Sequence, residues 1–230
     1  MAAPRTESAI AKIRELIVSG TLVPGSRLPP EGELAEAIGV SRNTAREAVR
    51  ALVTARVLDV RRGDGTYVTS LKPELLLEGI GFAVELMRDE TWLEVLEVRR
   101  YLEPAAAALA ATRISPDALR ALEQVLQRMR EAKGLEELVS HDAEFHHRVA
   151  AAAGNQTLAS MLNGLSSRTL RARVWRGLID GQVAGQTVAQ HEDIYAALRA
   201  GDPNLAQAAS IAHVLTTETW FRRALNTQGE

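Results

Sequence analysis

The feature that most constrains this chain is a pair of short helical segments separated by a tight break. Residues 31–38, EGELAEAI, follow Pro30, which suits a helix start because its fixed φ and missing N–H cost nothing there. Gly39 breaks that segment, Val40 can bury, and Ser41 opens the next, SRNTAREAVRAL. A serine in that place accepts a hydrogen bond from a free amide of the first turn. Ala45, Ala48, Val49 and Leu52 share one side of the second helix, and Arg42 and Arg46, four apart, share another. Helix, tight turn and second helix form a helix-turn-helix. Upstream, residues 8–18, SAIAKIRELIV, read as an amphipathic helix ended by Gly20, and TLVPGSRL reads as a loop with a Pro-Gly turn.

Past Leu58 the period changes. DVRRGDGTYVTS carries two short β-prone runs around Arg62-Gly63-Asp64-Gly65, a hairpin signal, and a hairpin beside a helix-turn-helix is a wing. Net charge over the whole chain is −2 and excludes little, but residues 41–62 hold six arginines against two acids. A helix with a buried apolar side and an arginine side suits the DNA major groove, and a local basic patch is the footprint of a DNA reader. The alternative for residues 41–52 is a solvated amphipathic helix.

The segment LKPEL, with Pro73, reads as a linker, and from residue 75 to 225 only helical periodicity is present. Pro104 marks a kink or a restart, and Ser115 followed by Pro116 caps a further helix. The helix lengths and short loops suit an antiparallel bundle. The expected fold is mainly α: an N-terminal winged helix-turn-helix over 1–71, a linker over 72–76 and a C-terminal all-helical antiparallel bundle over 77–226. Cysteine is absent, which removes disulfides, thiolate catalysis and Cys-ligated zinc. No apolar run approaches the roughly 20 residues of a membrane span, and MAAPRTESA lacks the apolar stretch of a signal peptide. A cytoplasmic protein with no membrane partner is expected.

Within the helical part, Asp142 and His146 are i,i+4 and project from one face. His191 and His213 flank the break Gly201-Asp202-Pro203, ten residues from its two ends. In an antiparallel hairpin both stand about 15 Å from the turn, at one level. Three nitrogens and a carboxylate oxygen make a ligand set for Zn²⁺, or for Ni²⁺, Co²⁺ or Mn²⁺ with added waters. The alternative is three unrelated histidines. His141 and His147 lie about 100° around the helix from those positions and read as bystanders.

The segment GTLVPGSRLPPEGELAEAIGVSRNTAREAVRALVTARVLDVRRGDGTYV resembles the N-terminal domain of the GntR family of bacterial transcription regulators. LEVRRYLEPAAAALAA, HDAEFHHRVAAAAGN and HEDIYAALRAGDPNLAQAASIAHV resemble, in order, the FCD ligand-sensing domain of its FadR subfamily. Together they cover nearly the whole chain. The resemblance implies DNA contacts from Ser41, Arg42, Thr44 and Arg46, with the wing around Gly65 reaching the groove. It implies metal ligation by Asp142, His146, His191 and His213, and an effector-facing arginine at Arg99; Asn155, Arg171, Arg173 and Tyr195 are further pocket candidates. One departure stands out: Gly32 occupies a place where the family usually has a basic residue that often touches DNA. Arg27 is a candidate to compensate.

The implied function is a DNA-binding regulator, a repressor, that binds double-stranded operator DNA as a homodimer and responds to a small carboxylate at a divalent metal site. Two alternatives remain at this stage. In one the metal is structural or is itself the signal. The other is a helical metalloenzyme, which lacks a convincing general base, because Glu144 and Glu192 lie off the ligand face.

Overall fold

A computed structural model describes residues 5–87, 91–166 and 181–228. The chain divides into two units, Met1–Leu76 and Leu77–Glu230.

The first unit holds α1 (Arg5–Val18), α2 (Glu31–Ala37), α3 (Arg42–Thr54), β1 (Leu58–Arg61), β2 (Gly65–Val68) and a helical turn, α4 (Pro73–Leu76). Its core is assembled from the apolar side of each element: Ala9 and Ile13 of α1, Leu34 of α2, Ala48 and Leu52 of α3, Leu58 of β1 and Val68 of β2. The turn between α2 and α3 passes through Gly39 at φ +65°, a conformation in which a Cβ is strained. Ser41 is the N-cap of α3 and its hydroxyl accepts from the Thr44 N–H at 3.1 Å. The strands pair antiparallel, with Leu58 opposite Val68 and Arg61 opposite Gly65, forming the expected wing. The segment 72–76, read above as linker, carries the turn α4; Pro73 sits at its first residue, where the missing N–H has no helical partner to lose.

The second unit is all helical among the described residues: α5 (Glu78–Leu86), α6 (Trp92–Ala111), α7 (Pro116–Glu131), α8 (Leu135–Ala152), α9 (Gln156–Leu165), α10 (Gly181–Ala200) and α11 (Pro203–Gln228). Helix α6 runs unbroken through Pro104 and packs on α8, α9, α10 and α11. Its buried residues, including Trp92, Leu96, Arg99, Glu103, Ala107 and Ala110, share one broad side, and Glu94, Glu97, Val98, Tyr101 and Ala105 form one exposed face. Phe145 of α8, Leu122 and Leu126 of α7 and Ile194 and Leu198 of α10 close the main core. A second cluster joins Trp92 to Phe221 of α11, their rings stacked at 6.1 Å, and the Trp92 indole N–H donates to the Met87 carbonyl.

Side-chain caps fix where these helices start. Ser115 accepts from the Ala118 N–H at 3.2 Å, and Pro116 is the first helical residue of α7. Replacing Ser115 by Ala leaves that amide to water, and a loss of about 1 kcal/mol is expected. Thermal unfolding should read this as a fall of about 2–4 °C. At the turn from α10 to α11, Gly201 takes φ +68° and Asp202 Oδ1 accepts from the Asn204 and Leu205 amides. That turn makes α10 and α11 a hairpin and brings His191 and His213 level.

Candidate functional site

The first unit presents Arg42 and Arg46 from the start of α3, against Glu31 and Gly32 of α2. Arg46 is paired with Glu31: Nε lies 3.2 and 3.0 Å from the two carboxylate oxygens and Nη2 lies 2.9 Å from Oε2. That hydrogen bond holds the Glu31 carboxyl below its ordinary pKa, against slight desolvation. Arg42 is exposed and lies over Gly32. Ser41 and Thr44 are tied to each other, hydroxyl to hydroxyl at 2.8 Å, at the N-terminus of α3. On the wing, Gly65 takes φ +152°, and a Cβ there would fall 2.7 Å from Arg27 Nε. Arg27 also donates to the Asp64 carbonyl, Tyr67 donates to the Asp64 carboxylate, and Arg61 stacks over the Tyr67 ring at 4.1 Å. Arg27, offered above as compensation for Gly32, thus belongs to the wing tip, and the space over Gly32 is taken by Arg42.

In the second unit the helical hairpin and α8 bring three histidines together. The ring centroids of His146, His191 and His213 lie 4.5 to 5.0 Å apart. One ring nitrogen of each falls within 4.8 Å of the others. Asp142 Oδ1 lies 3.2 Å from His191 Nε2 and 3.7 Å from His146 Nε2. His191 is fully buried; His213 and Asp142 are 3% and 4% exposed. The Phe145 ring stands nearly perpendicular to both the His146 and His191 rings, with centroids 5.8 and 4.7 Å away.

Each histidine has an acceptor on its far side. His191 Nδ1 is 2.7 Å from the Thr187 carbonyl, His213 Nδ1 is 3.3 Å from Gln190 Oε1, and His146 Nδ1 is 3.4 Å from Glu103 Oε2. Carbonyl and carboxylate oxygens only accept, so the tautomer protonated on Nδ1 suits these contacts and leaves each Nε2 with a lone pair for a metal. The Nε2 atoms of His191 and His146 nevertheless face each other at 3.1 Å. Three imidazole nitrogens this close together, with a carboxylate oxygen beside them, are the donor set of a divalent metal, so the residues present fit one. Burial, reinforced by the neighbouring His191 and His146, pushes the His213 imidazole well below its ordinary pKa, which keeps it in the neutral, ligating form.

A cavity of about 200 Å³ opens beside this cluster. His146 lies on its wall, with Glu103, His147, Asn163, Ser166 and Ser210 as its other polar groups. The expected pocket residues are placed differently from one another. Arg99 is 3% exposed and its Nε donates to Glu103 Oε1 at 2.5 Å; the member of that pair on the cavity wall is Glu103. Asn155 caps α9 by accepting from the Leu158 N–H, and Asn163, two turns later on the same helix, faces the cavity. Tyr195 is half-buried against the main core, with the Arg199 guanidinium over its ring at 5.8 Å. Arg171 and Arg173 lie outside the described residues. The sequence reading missed Glu103, Thr187 and Gln190. The i,i+4 spacing of Arg99 and Glu103 was the available signal for the first, and a polar residue one turn before His191 was the signal for the second.

Neither acid weighed above as a general base is at liberty to act as one. Glu144 is ion-paired to Arg128 and Arg148, and Glu192 to Arg130. Burial alone would raise the Glu144 pKa, but the two arginine hydrogen bonds outweigh it and hold the group below its ordinary value.

Comparison with known proteins agrees with both units. Residues 5–68 match the family described as bacterial regulatory proteins, gntR family, and residues 94–216 match the FCD domain. The chain is 32% identical to the HTH-type transcriptional regulator LutR of Bacillus subtilis, over 88% of this chain and 94% of that protein. It is 29% identical to the galactonate operon transcriptional repressor of Escherichia coli, over 93% and 95% of the two chains. Among solved structures, a GntR protein of Streptococcus agalactiae superposes with a TM-score of 0.66 at 30% identity, covering 93% of this chain and 99% of that one.

Proposed function

Because this chain belongs to the gntR family of bacterial regulatory proteins and carries an FCD domain, we propose that it is an operon repressor released by a small carboxylate bound at a metal site. The coarser part of that reading is established: proteins of this family, and the relatives named above, are transcription regulators and not enzymes, and the gntR domain binds DNA. One of those relatives is named a repressor, which supports the same direction here. A homodimer carrying two copies of α3 would meet the two half-sites of a palindromic operator. Arg42 and Arg46 are assigned to base edges, Ser41 and Thr44 at the N-terminus of α3 to phosphate, and the wing at Gly65 to the groove. Operator DNA places the protein in the cytoplasm; no helix among the described residues is long and apolar enough to cross a membrane.

The observation that carries the effector reading is that His146 belongs both to the cluster and to the cavity wall. Asp142, His146, His191 and His213 are assigned as ligands of one divalent ion, Zn²⁺, Ni²⁺, Co²⁺ or Mn²⁺ according to supply. Such an ion, when bound, offers a carboxylate oxygen a coordination position at the cavity. The charges agree: Arg99 neutralises Glu103 and Asp142 cancels half of a divalent charge, so one positive charge remains for a monocarboxylate. Ser210, Asn163 and Ser166 then supply hydrogen bonds to the rest of the molecule, and Ala106, Ala107 and Leu162 an apolar wall.

Thermal unfolding of metal-loaded protein against a panel of small carboxylates, each with and without chelator, tests this. A ligand at about 100 times its Kd should stabilise by about 2.7 kcal/mol, a rise of about 5–10 °C, and only when metal is present. The same ligand should then release operator DNA, which requires different affinity for the two states. If DNA binding follows metal concentration alone and no carboxylate shifts the unfolding, the metal is structural or is itself the signal.

A further inference from the structure

Glu31 and Gly32, adjacent at the start of α2, each meet one arginine of α3. Glu31 holds Arg46 through the paired contacts described above. Gly32 meets Arg42: a Cβ built on Gly32 would fall 3.3 Å from Arg42 Nε and 3.4 Å from both Cζ and Nη2. The guanidinium therefore rests on the bare backbone of α2. Gly32 is not among the glycines with positive φ, so the backbone does not require a glycine there, and a helix is weakened by having one. The contact that a side chain would obstruct is the one with Arg42. Among the described residues no carboxylate pairs with Arg42, so this platform is what orients it.

We propose that Gly32 is a positioning residue for DNA reading: its bare backbone sets the pose of the Arg42 guanidinium, so position 32 decides operator preference without touching a base. The inference rests on the reading of α3 as the base-reading helix. Bidentate recognition of guanine needs the guanidinium plane at a fixed angle, and a side chain already resting on a flat surface has less freedom to lose on binding. A methyl group at position 32 forces the flexible end of Arg42 to move by a few tenths of an ångström, which the fold tolerates. A leucine side chain fills the platform and displaces the guanidinium altogether.

The full chain is used to select sites from double-stranded DNA with a randomised core. Affinities are then measured for the selected site and each of its single-base-pair variants. Arg42→Ala should lower discrimination about tenfold or more at the base pairs that Arg42 reads. Gly32→Ala should lower it partway at those same base pairs, and Gly32→Leu further. In the Arg42→Ala background, Gly32→Ala should add nothing, because the two act through one side chain. Thermal unfolding of Gly32→Ala should be unchanged or raised, which separates the effect from loss of fold. Discrimination unaltered in both Gly32 variants, a uniform loss across all base pairs, or effects that multiply with Arg42→Ala would each overturn the inference while leaving the reading of Arg42 intact. If Arg42→Ala leaves discrimination unchanged at every base pair, the reading and the inference both fall.

Discussion

Replacing His191 by Ala is expected to lower the affinity of this regulator for divalent metal by about 100-fold or more. His191 is the hub of the cluster. Its Nε2 is 3.1 Å from His146 Nε2 and 3.2 Å from Asp142 Oδ1, and its Nδ1 is fixed by the Thr187 carbonyl. No rotation of the ring can substitute another atom, and full burial keeps water from replacing it. Calorimetric titration with Zn²⁺ or Ni²⁺ measures the affinity directly. Unfolding temperature with and without chelator gives a second reading: metal at about 100 times the wild-type Kd should raise the wild type by about 5–10 °C and the variant by no more than about 1–2 °C. His141→Ala, one residue from Asp142 and off its face, should leave metal affinity unchanged. Equal metal affinity in wild type and His191→Ala would remove the metal from this cluster.

The metal-free protein should also lose stability in acid for a stated reason. The unfolded chain takes up a proton at His213 near its ordinary value of 6.5, whereas burial and the neighbouring histidines keep the native imidazole neutral well below that. The unfolded state then binds more protons. Stability from this group is full above about pH 6.5 and declines as pH falls through that value toward the native pKa.

Replacing Arg99 by Ala should destabilise the helical domain by about 3–5 kcal/mol. Arg99 and Glu103 are 3% and 6% exposed and joined at 2.5 Å. Removing the guanidinium leaves the Glu103 carboxylate buried without its cation, and breaking one side of a buried pair costs more than the pair itself contributes. The unfolding temperature should fall by about 10 °C. Arg99→Met with Glu103→Gln removes both charges and should recover most of that loss. The double variant should still bind metal more weakly, by up to about 10-fold, because a neutral amide replaces the carboxylate that lies 3.4 Å from His146 Nδ1. An Arg99 that contacted the effector directly would behave otherwise: Arg99→Ala would weaken ligand binding with little effect on stability. That result would support the role the sequence resemblance implied.

What could be read without a structure was what is local or set by symmetry. Ser41 and Ser115 announce their helices because a cap is an interaction across three residues. The wing follows from two short β-prone runs around Gly63 and Gly65. The levelling of His191 with His213 follows from equal spacing on either side of Gly201 and Asp202, since helix rise is constant. Asp142 and His146 needed only one turn of helix. The histidine cluster with Asp142 was therefore legible as a set, although nothing in the spacing said that it was buried.

The tertiary structure decided whatever depended on which way a helix faces its neighbours. Helix α6 packs on four others and leaves Glu94, Glu97 and Tyr101 exposed, while Arg99 and Glu103 pair on its buried side; charged residues occur on both sides, and packing decides which of them are covered. Asn155 and Asn163 are both polar positions of one segment, yet one is spent on a cap and the other faces the cavity. Gly32 shows the same limit across two elements. Alone it is a poor helix residue, and only the crossing of α2 and α3 places the Arg42 guanidinium on it. Periodicity and capping act within one element and are written along the chain; the approach of one element to another arises from packing, which no single segment encodes.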